Sequence, residues 1–241
     1  MLCVHSFVFV SPPHIARFLN HARVHNRSVV YVFFAPSRLH TGLYHRDWNG
    51  KFNLFVGLFA SHLQSHSQHP LYTPQVSKLK KEFVSRNCVV VGLSVDTVEN
   101  HLGWIKDINE TQDTEVNFPI VADTTGEIAK MCGFHHPKAA QVSDGITTVR
   151  SVLLIDPNRT IQLRMDYPTY VGRNFYEIIR ALDAVQLTVY HKVATPANWK
   201  AGEDVMIIPS LNSETATQLF PKGFSEIKPY LRLTPVPGPD D

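Results

Sequence analysis

Cysteine is scarce and poorly placed for cross-linking: only Cys3, Cys88 and Cys132 occur, an odd set scattered over 241 residues. That excludes the disulfide framework of a small secreted scaffold and favours a reducing compartment, the cytoplasm. Long apolar runs are missing too. Arg17 and Arg23 interrupt the first apolar stretch, and Lys51 and several His break the next. No segment reaches the roughly 20 residues of a membrane helix, so no membrane partner is expected. Charge is thin at 18% of residues, and the net charge of +2 gives no reason to expect nucleic acid. Yet 44% of residues are hydrophobic, which excludes a mainly disordered chain. A chain of this length buries a core without staples.

Acid is almost absent from the front. Residues 1–74 hold one acid, Asp47, against six Lys/Arg, and carry nine of the thirteen His and eight of the fourteen Phe. The other twenty acids and seventeen Lys/Arg follow, so the front is about +5 and the rest about −3. This shift marks a boundary near residue 75. Ahead of it the local signals are weak: residues 28–34 suit a strand, but no helical period is sustained.

Beyond it they agree. Val76, Leu79, Phe83 and Val84 make an apolar helical face. Residues 88–96 form a β-branched, buried strand that runs into Asp96-Thr97-Val98-Glu99, a capping-box-like start for a helix bearing Val98, Leu102, Ile105 and Ile108. Residues 118–121 make a short strand, and Gly133 closes a helix opened at Thr124-Thr125-Gly126-Glu127. Residues 147–156 and 160–166 are strands joined by a turn, and Asn174 caps a helix faced by Phe175, Ile178, Ile179, Leu182 and Val185. This order predicts an α/β sandwich with a mixed sheet. From about Ala194 the chain reads as a Pro-rich, irregular arm whose Pro196, Trp199, Val205, Ile207 and Ile208 are left to cover a partner subunit.

Several of these stretches resemble a known family. Lys80-Lys81-Glu82-Phe83, Gly92-Leu93-Ser94-Val95-Asp96, His101-Leu102-Gly103-Trp104, Phe118-Pro119-Ile120, Thr148-Val149-Arg150-Ser151-Val152, Tyr167-Pro168, Gly172-Arg173-Asn174-Phe175, Val193-Ala194-Thr195-Pro196 and Lys228-Pro229-Tyr230 occur in the order found in 1-Cys peroxiredoxins of the AhpC/TSA group. The likeness spans about residues 76–235. It implies a thioredoxin-like fold with a peroxiredoxin arm: a basic front at 1–75, a body at 76–190 and a dimerising arm at 191–241. It also implies a homodimer that reduces hydrogen peroxide and organic hydroperoxides, with an external thiol system, glutathione or thioredoxin, as reductant and no cofactor. The arm carries no cysteine, in keeping with the 1-Cys branch.

The family's chemistry requires a low-pKa cysteine at a helix start, in a Pro-x-x-x-Thr-x-x-Cys segment just before Lys80. That segment is not found. Ungapped alignment puts His69 at the cysteine position, and anchoring on Thr73-Pro74 puts Val76 there; neither side chain performs thiol peroxidation. The chain is therefore expected to be inactive. The abrupt shift at residue 75 favours an altered front end, by splicing or intron read-through, over divergence. The alternative function is a non-catalytic subunit that binds intact peroxiredoxin through the arm.

By the resemblance, Arg150 is the active-site arginine, since an Arg inside an apolar strand requires an anionic partner or an opening to water. Arg173, at a helix start where a cation is disfavoured, and the aromatic Trp104 are assigned as active-site support. Cys88 and Cys132 read as buried, inert thiols. His62, His66 and His69 have a spacing that would suit zinc on a helix, but a polar loop is favoured and no metal is expected. The acid-poor, Arg-bearing front also suggests mitochondria as a second compartment, though no amphipathic helix supports a presequence.

Overall fold

The computed structural model describes residues 33–35, 38–40, 52–57, 73–134, 149–158, 160–168 and 171–238. The chain divides into two compact units, residues 1–173 and 174–241. In the first, the order is β1 (Phe33–Ala35), β2 (Arg38–His40), β3 (Phe52–Gly57), α1 (Thr73–Lys78), α2 (Lys80–Ser85), β4 (Cys88–Ser94), α3 (Val98–Thr111), β5 (Ile120–Ala122), α4 (Glu127–Met131), β6 (Arg150–Ile155) and β7 (Ile161–Tyr167). The second holds α5 (Phe175–Tyr190), β8 (Val193–Ala194), β9 (Val205–Ile207), α6 (Ser213–Leu219), β10 (Ser225–Lys228) and β11 (Leu231–Thr234).

The first unit is built on a five-stranded sheet in the order β5-β4-β3-β6-β7. Strands β3, β4 and β5 are parallel, and β6 and β7 return antiparallel, the mixed sheet that the alternation of elements predicts. Every residue of β6 is buried, as expected of an inner strand covered on both faces, whereas β7 alternates as an edge strand does. Under one face Val91, Leu93, Val121, Ile128, Phe134, Leu153 and Ile155 pack as one apolar cluster. Gly133 closes α4 at φ 67°, a left-handed position that only glycine adopts without strain.

The central strand comes from ahead of the compositional boundary. β3 pairs with β4 from Phe52↔Cys88 to Gly57↔Leu93 and with β6 from Asn53↔Ile155 to Val56↔Val152. The weak local signal before residue 75 therefore conceals a strand that takes its stability from two neighbours. Limited proteolysis is expected to leave a protected fragment that begins before residue 52; a stable fragment starting at residue 75 would show that β3 is dispensable.

Two helical faces differ from the sequence expectation. Val84 is 63% exposed, and Leu102 is exposed while His101 and Ile108 are the buried residues of α3. The apolar spacing of Val98, Leu102 and Ile105 hid a buried face centred on a histidine. Thr97, rather than Asp96, caps α3 by accepting from the Asn100 N–H; the Asp96 carboxylate accepts from Ser94 Oγ at 3.1 Å. Asn174 caps α5 as predicted, accepting from the N–H groups of Tyr176 and Glu177.

The C-terminal unit is not an irregular arm. It contains a four-stranded antiparallel sheet, β10-β11-β9-β8, with its own core of Leu187, Val193, Trp199, Val205, Ile207, Ala216 and Phe220. Trp199, Val205 and Ile207 are thus buried within the unit and do not supply free surface; Trp199 Nε1 donates to the Glu203 carbonyl at 2.8 Å. Strands of two to four residues separated by turns are too short for period-2 patterning to reveal them. Among the described residues no helix is long and apolar enough to cross a membrane.

Candidate active site

The sheet register gathers the relevant side chains at one end. Val56 of β3 lies opposite Val152, so Arg150, two residues earlier on the antiparallel β6, lies just past the carboxyl end of β3. The carboxyl ends of β4 and β5 lie at the same end, because both run parallel to β3. This is the end at which open α/β sheets place their ligands. Arg150 is only 3% exposed, so its guanidinium is held within the fold rather than in bulk water.

Helix α3 starts just beyond the same end of β4 and carries Trp104, half-buried, with its Nε1 shielded and without a hydrogen-bond partner among the described residues. One turn earlier lies buried His101, whose Nε2 has none either. Burial lowers the His101 pKa, and the Asp96 charge opposes this only in part. Arg173, 8% exposed, directly precedes the Asn174 cap. Arg150 thus lies at the carboxyl end of the sheet, Trp104 sits midway along the helix that starts there, and Arg173 is buried ahead of the next helix.

A polar network missed by the sequence reading fixes the strand that bears Arg150. Ser151, fully buried, donates from Oγ to Asp166 on β7, its partner in register. Asp166 in turn accepts from Arg164 Nε at 2.7 Å. The remaining Arg164 nitrogens donate to the Cys132 and Gly133 carbonyls at 2.8 and 2.7 Å, closing the end of α4. A serine between Arg150 and Val152 in an otherwise apolar strand was the available signal. Burial disfavours the Asp166 carboxylate, but the hydrogen bonds from Arg164 and Ser151 together outweigh it and hold the pKa below the usual value.

Acid should act on this unit in two windows. His101 is favoured neutral in the fold, so stability falls as pH drops from about 6.5, where the unfolded imidazole takes up a proton. Asp166 is favoured ionised, so its contribution is present above about pH 4 and lost as pH falls through its lower folded value. Asp166→Asn is therefore expected to lower Tm at pH 7 and to approach the parent below about pH 3. A Tm difference that does not change with pH would contradict this assignment.

Cys88 and Cys132 are both buried. Cys88 is level with Phe52, whereas Arg150 is level with the position six residues further along β3, an axial separation of about 20 Å. Burial pushes the Cys132 thiol up to about 12, with Asp123 adding to the rise and Arg164 opposing it. Neither meets the electropositive, partly exposed setting of a reactive thiol. Val76 is 2% exposed on α1 and is chemically inert. His62, His66 and His69 lie outside the described residues, as does Cys3. Among the described residues no group of His, Cys, Asp and Glu is arranged to hold a metal ion.

The pattern of the AhpC/TSA family matches residues 59–164, starting earlier than the motifs alone indicate, and that of the C-terminal domain of 1-Cys peroxiredoxin matches residues 184–223. A 1-Cys peroxiredoxin of Dictyostelium discoideum is 46% identical over 197 residues, covering 78% of this chain and 79% of the relative. Peroxiredoxin-6 of Gallus gallus is 40% identical over 78% of this chain and 90% of its own. Among solved structures, a cysteine-to-serine mutant of peroxiredoxin 6 from Arenicola marina superimposes with a TM-score of 0.69 at 33% identity, over 82% of this chain and 91% of that one. A yeast mitochondrial 1-Cys peroxiredoxin, solved for its thiol resolving mechanism via glutathione/thioredoxin systems, gives 0.68 at 31% identity over 89% of this chain and all of that one. With the fold, both family patterns and these relatives in agreement, the chain belongs to the 1-Cys peroxiredoxin family.

Proposed function

We propose that this chain keeps the arginine half of a peroxide-reducing site and lacks the thiolate half. The observation that carries this reading is the absence of cysteine from residues 4–87, which include the whole segment between β3 and β4. In the family reaction, a thiolate sulfur attacks one peroxide oxygen and the O–O bond breaks. The other oxygen leaves as water or an alcohol after taking a proton, and the sulfur becomes a sulfenic acid. Two electrons from an external thiol system, glutathione or thioredoxin, then return it to the thiol. Arg150 is assigned to orient the peroxide and stabilise developing negative charge, with Arg173 and Trp104 supporting that pocket. An arginine cannot itself accept the transferred oxygen.

The division into a front at 1–75, a body at 76–190 and an arm at 191–241 belongs to the same reading, as does a homodimer formed through the arm. The family patterns at 59–164 and 184–223 support the latter two parts. The reading favours the cytoplasm, with mitochondria as a second compartment; one relative, 44% identical over 171 residues, is the mitochondrial PRX1 of Saccharomyces cerevisiae. The test is sulfenic acid trapping after peroxide exposure, mapped by peptide mass. Rapid, stoichiometric trapping at any cysteine would overturn the reading.

A further inference from the structure

We propose that a pocket at the opposite end of the sheet from Arg150 binds a small apolar acid of the aromatic carboxylate class. Residues of α1, α2, the start of β4 and the turn at 117–119 line a cavity of about 140 Å³. Its apolar walls include Val76, Phe83 and Val90, all buried, and Cys88, also buried, lines it with them. A space of that size accommodates a single six-membered ring.

Chemistry at the rim selects what the ring must carry. Lys80 and Asn117 line the same cavity and are both exposed, which brings the pocket to solvent. Among the described residues, Lys80 Nζ makes one long contact, 3.4 Å to the Asn117 carbonyl oxygen. An ammonium has three donors, so it holds a carboxylate while keeping that contact. A flat ring in the cavity with its acid group on Lys80 satisfies both parts. Phosphorylated or sugar-like ligands do not, since their polar bodies would lose water against apolar walls.

Cys88 provides the readout. In full-length protein carrying Cys3→Ser, alkylation of Cys88 by iodoacetamide is followed at constant pH with benzoate or toluene as probe, beside thermal unfolding. Benzoate is expected to slow labelling saturably and to raise Tm, and toluene to do the same without an acid group. Lys80→Met is expected to weaken protection by benzoate about threefold, the scale of one exposed ion pair, and to leave toluene unchanged. Val84→Trp, at an exposed wall position that tolerates bulk, is expected to block both probes. Unchanged labelling with both probes would overturn the proposal, as would equal protection by benzoate in Lys80→Met and the parent.

Discussion

In a single turnover with one equivalent of hydrogen peroxide, the reduced chain is expected to react on the order of 10⁶-fold more slowly than a family member with its thiol in place. That is the scale of loss when an enzyme is deprived of its nucleophile. The expectation rests on two distances from the required chemistry, one in space and one in free energy. Cys88 is about 20 Å along the sheet from the level of Arg150. The Cys132 thiol, pushed up to about 12 by burial, stays protonated at pH 7. Fast consumption abolished by Cys88→Ser or Cys132→Ser would promote that residue to the active site. Installing a Pro-x-x-x-Thr-x-x-Cys segment ahead of Lys78 is expected to raise the rate by several orders of magnitude, because Arg150 is already buried at the receiving end of the sheet. Failure of a folded variant to gain activity would move the defect to the Arg150 side.

Arg232→Met is expected to destabilise the C-terminal unit by about 2 kcal/mol, the scale of a lost hydrogen bond from a charged donor. The side chain is only 2% exposed, and its Nη2 donates to the Leu211 carbonyl at 2.5 Å and the Ile208 carbonyl at 3.4 Å. Its guanidinium carbon also lies 5.8 Å from the centre of the Phe224 ring. Methionine fills a similar volume, so the substitution removes the donor of the half-buried Leu211 carbonyl, while the Ile208 carbonyl keeps the Leu211 N–H at 3.2 Å. Hydrogen exchange of the β9 and β11 amides should accelerate, and Tm should fall. Lys228→Met, on the wholly exposed β10, should change little. A loss below about 0.5 kcal/mol for Arg232→Met would show that the Leu211 carbonyl finds another donor.

The sequence by itself determined the elements whose causes are local. Asn174 was legible as a cap because its side chain satisfies the amides of the next two residues. The strands holding β4 and β6 were legible because inner strands read as near-continuous apolar runs, here rich in Val, Leu and Ile. The ordered motifs identified the family, and the cysteine-free stretch before β4 was a matter of reading the letters. Tertiary structure decided everything that depends on a partner distant in the chain. β3 has little local signal and exists as the central strand because β4 and β6 satisfy its backbone on both sides. The faces of α3 were settled by what packs against them, so histidine went in and Leu102 stayed out. The short strands of the C-terminal unit gain stability only from their shared core. Which cysteine could serve Arg150 was likewise a question of register: pairing sets Cys88 at one end of the sheet and Arg150 at the other, a separation that no local pattern encodes.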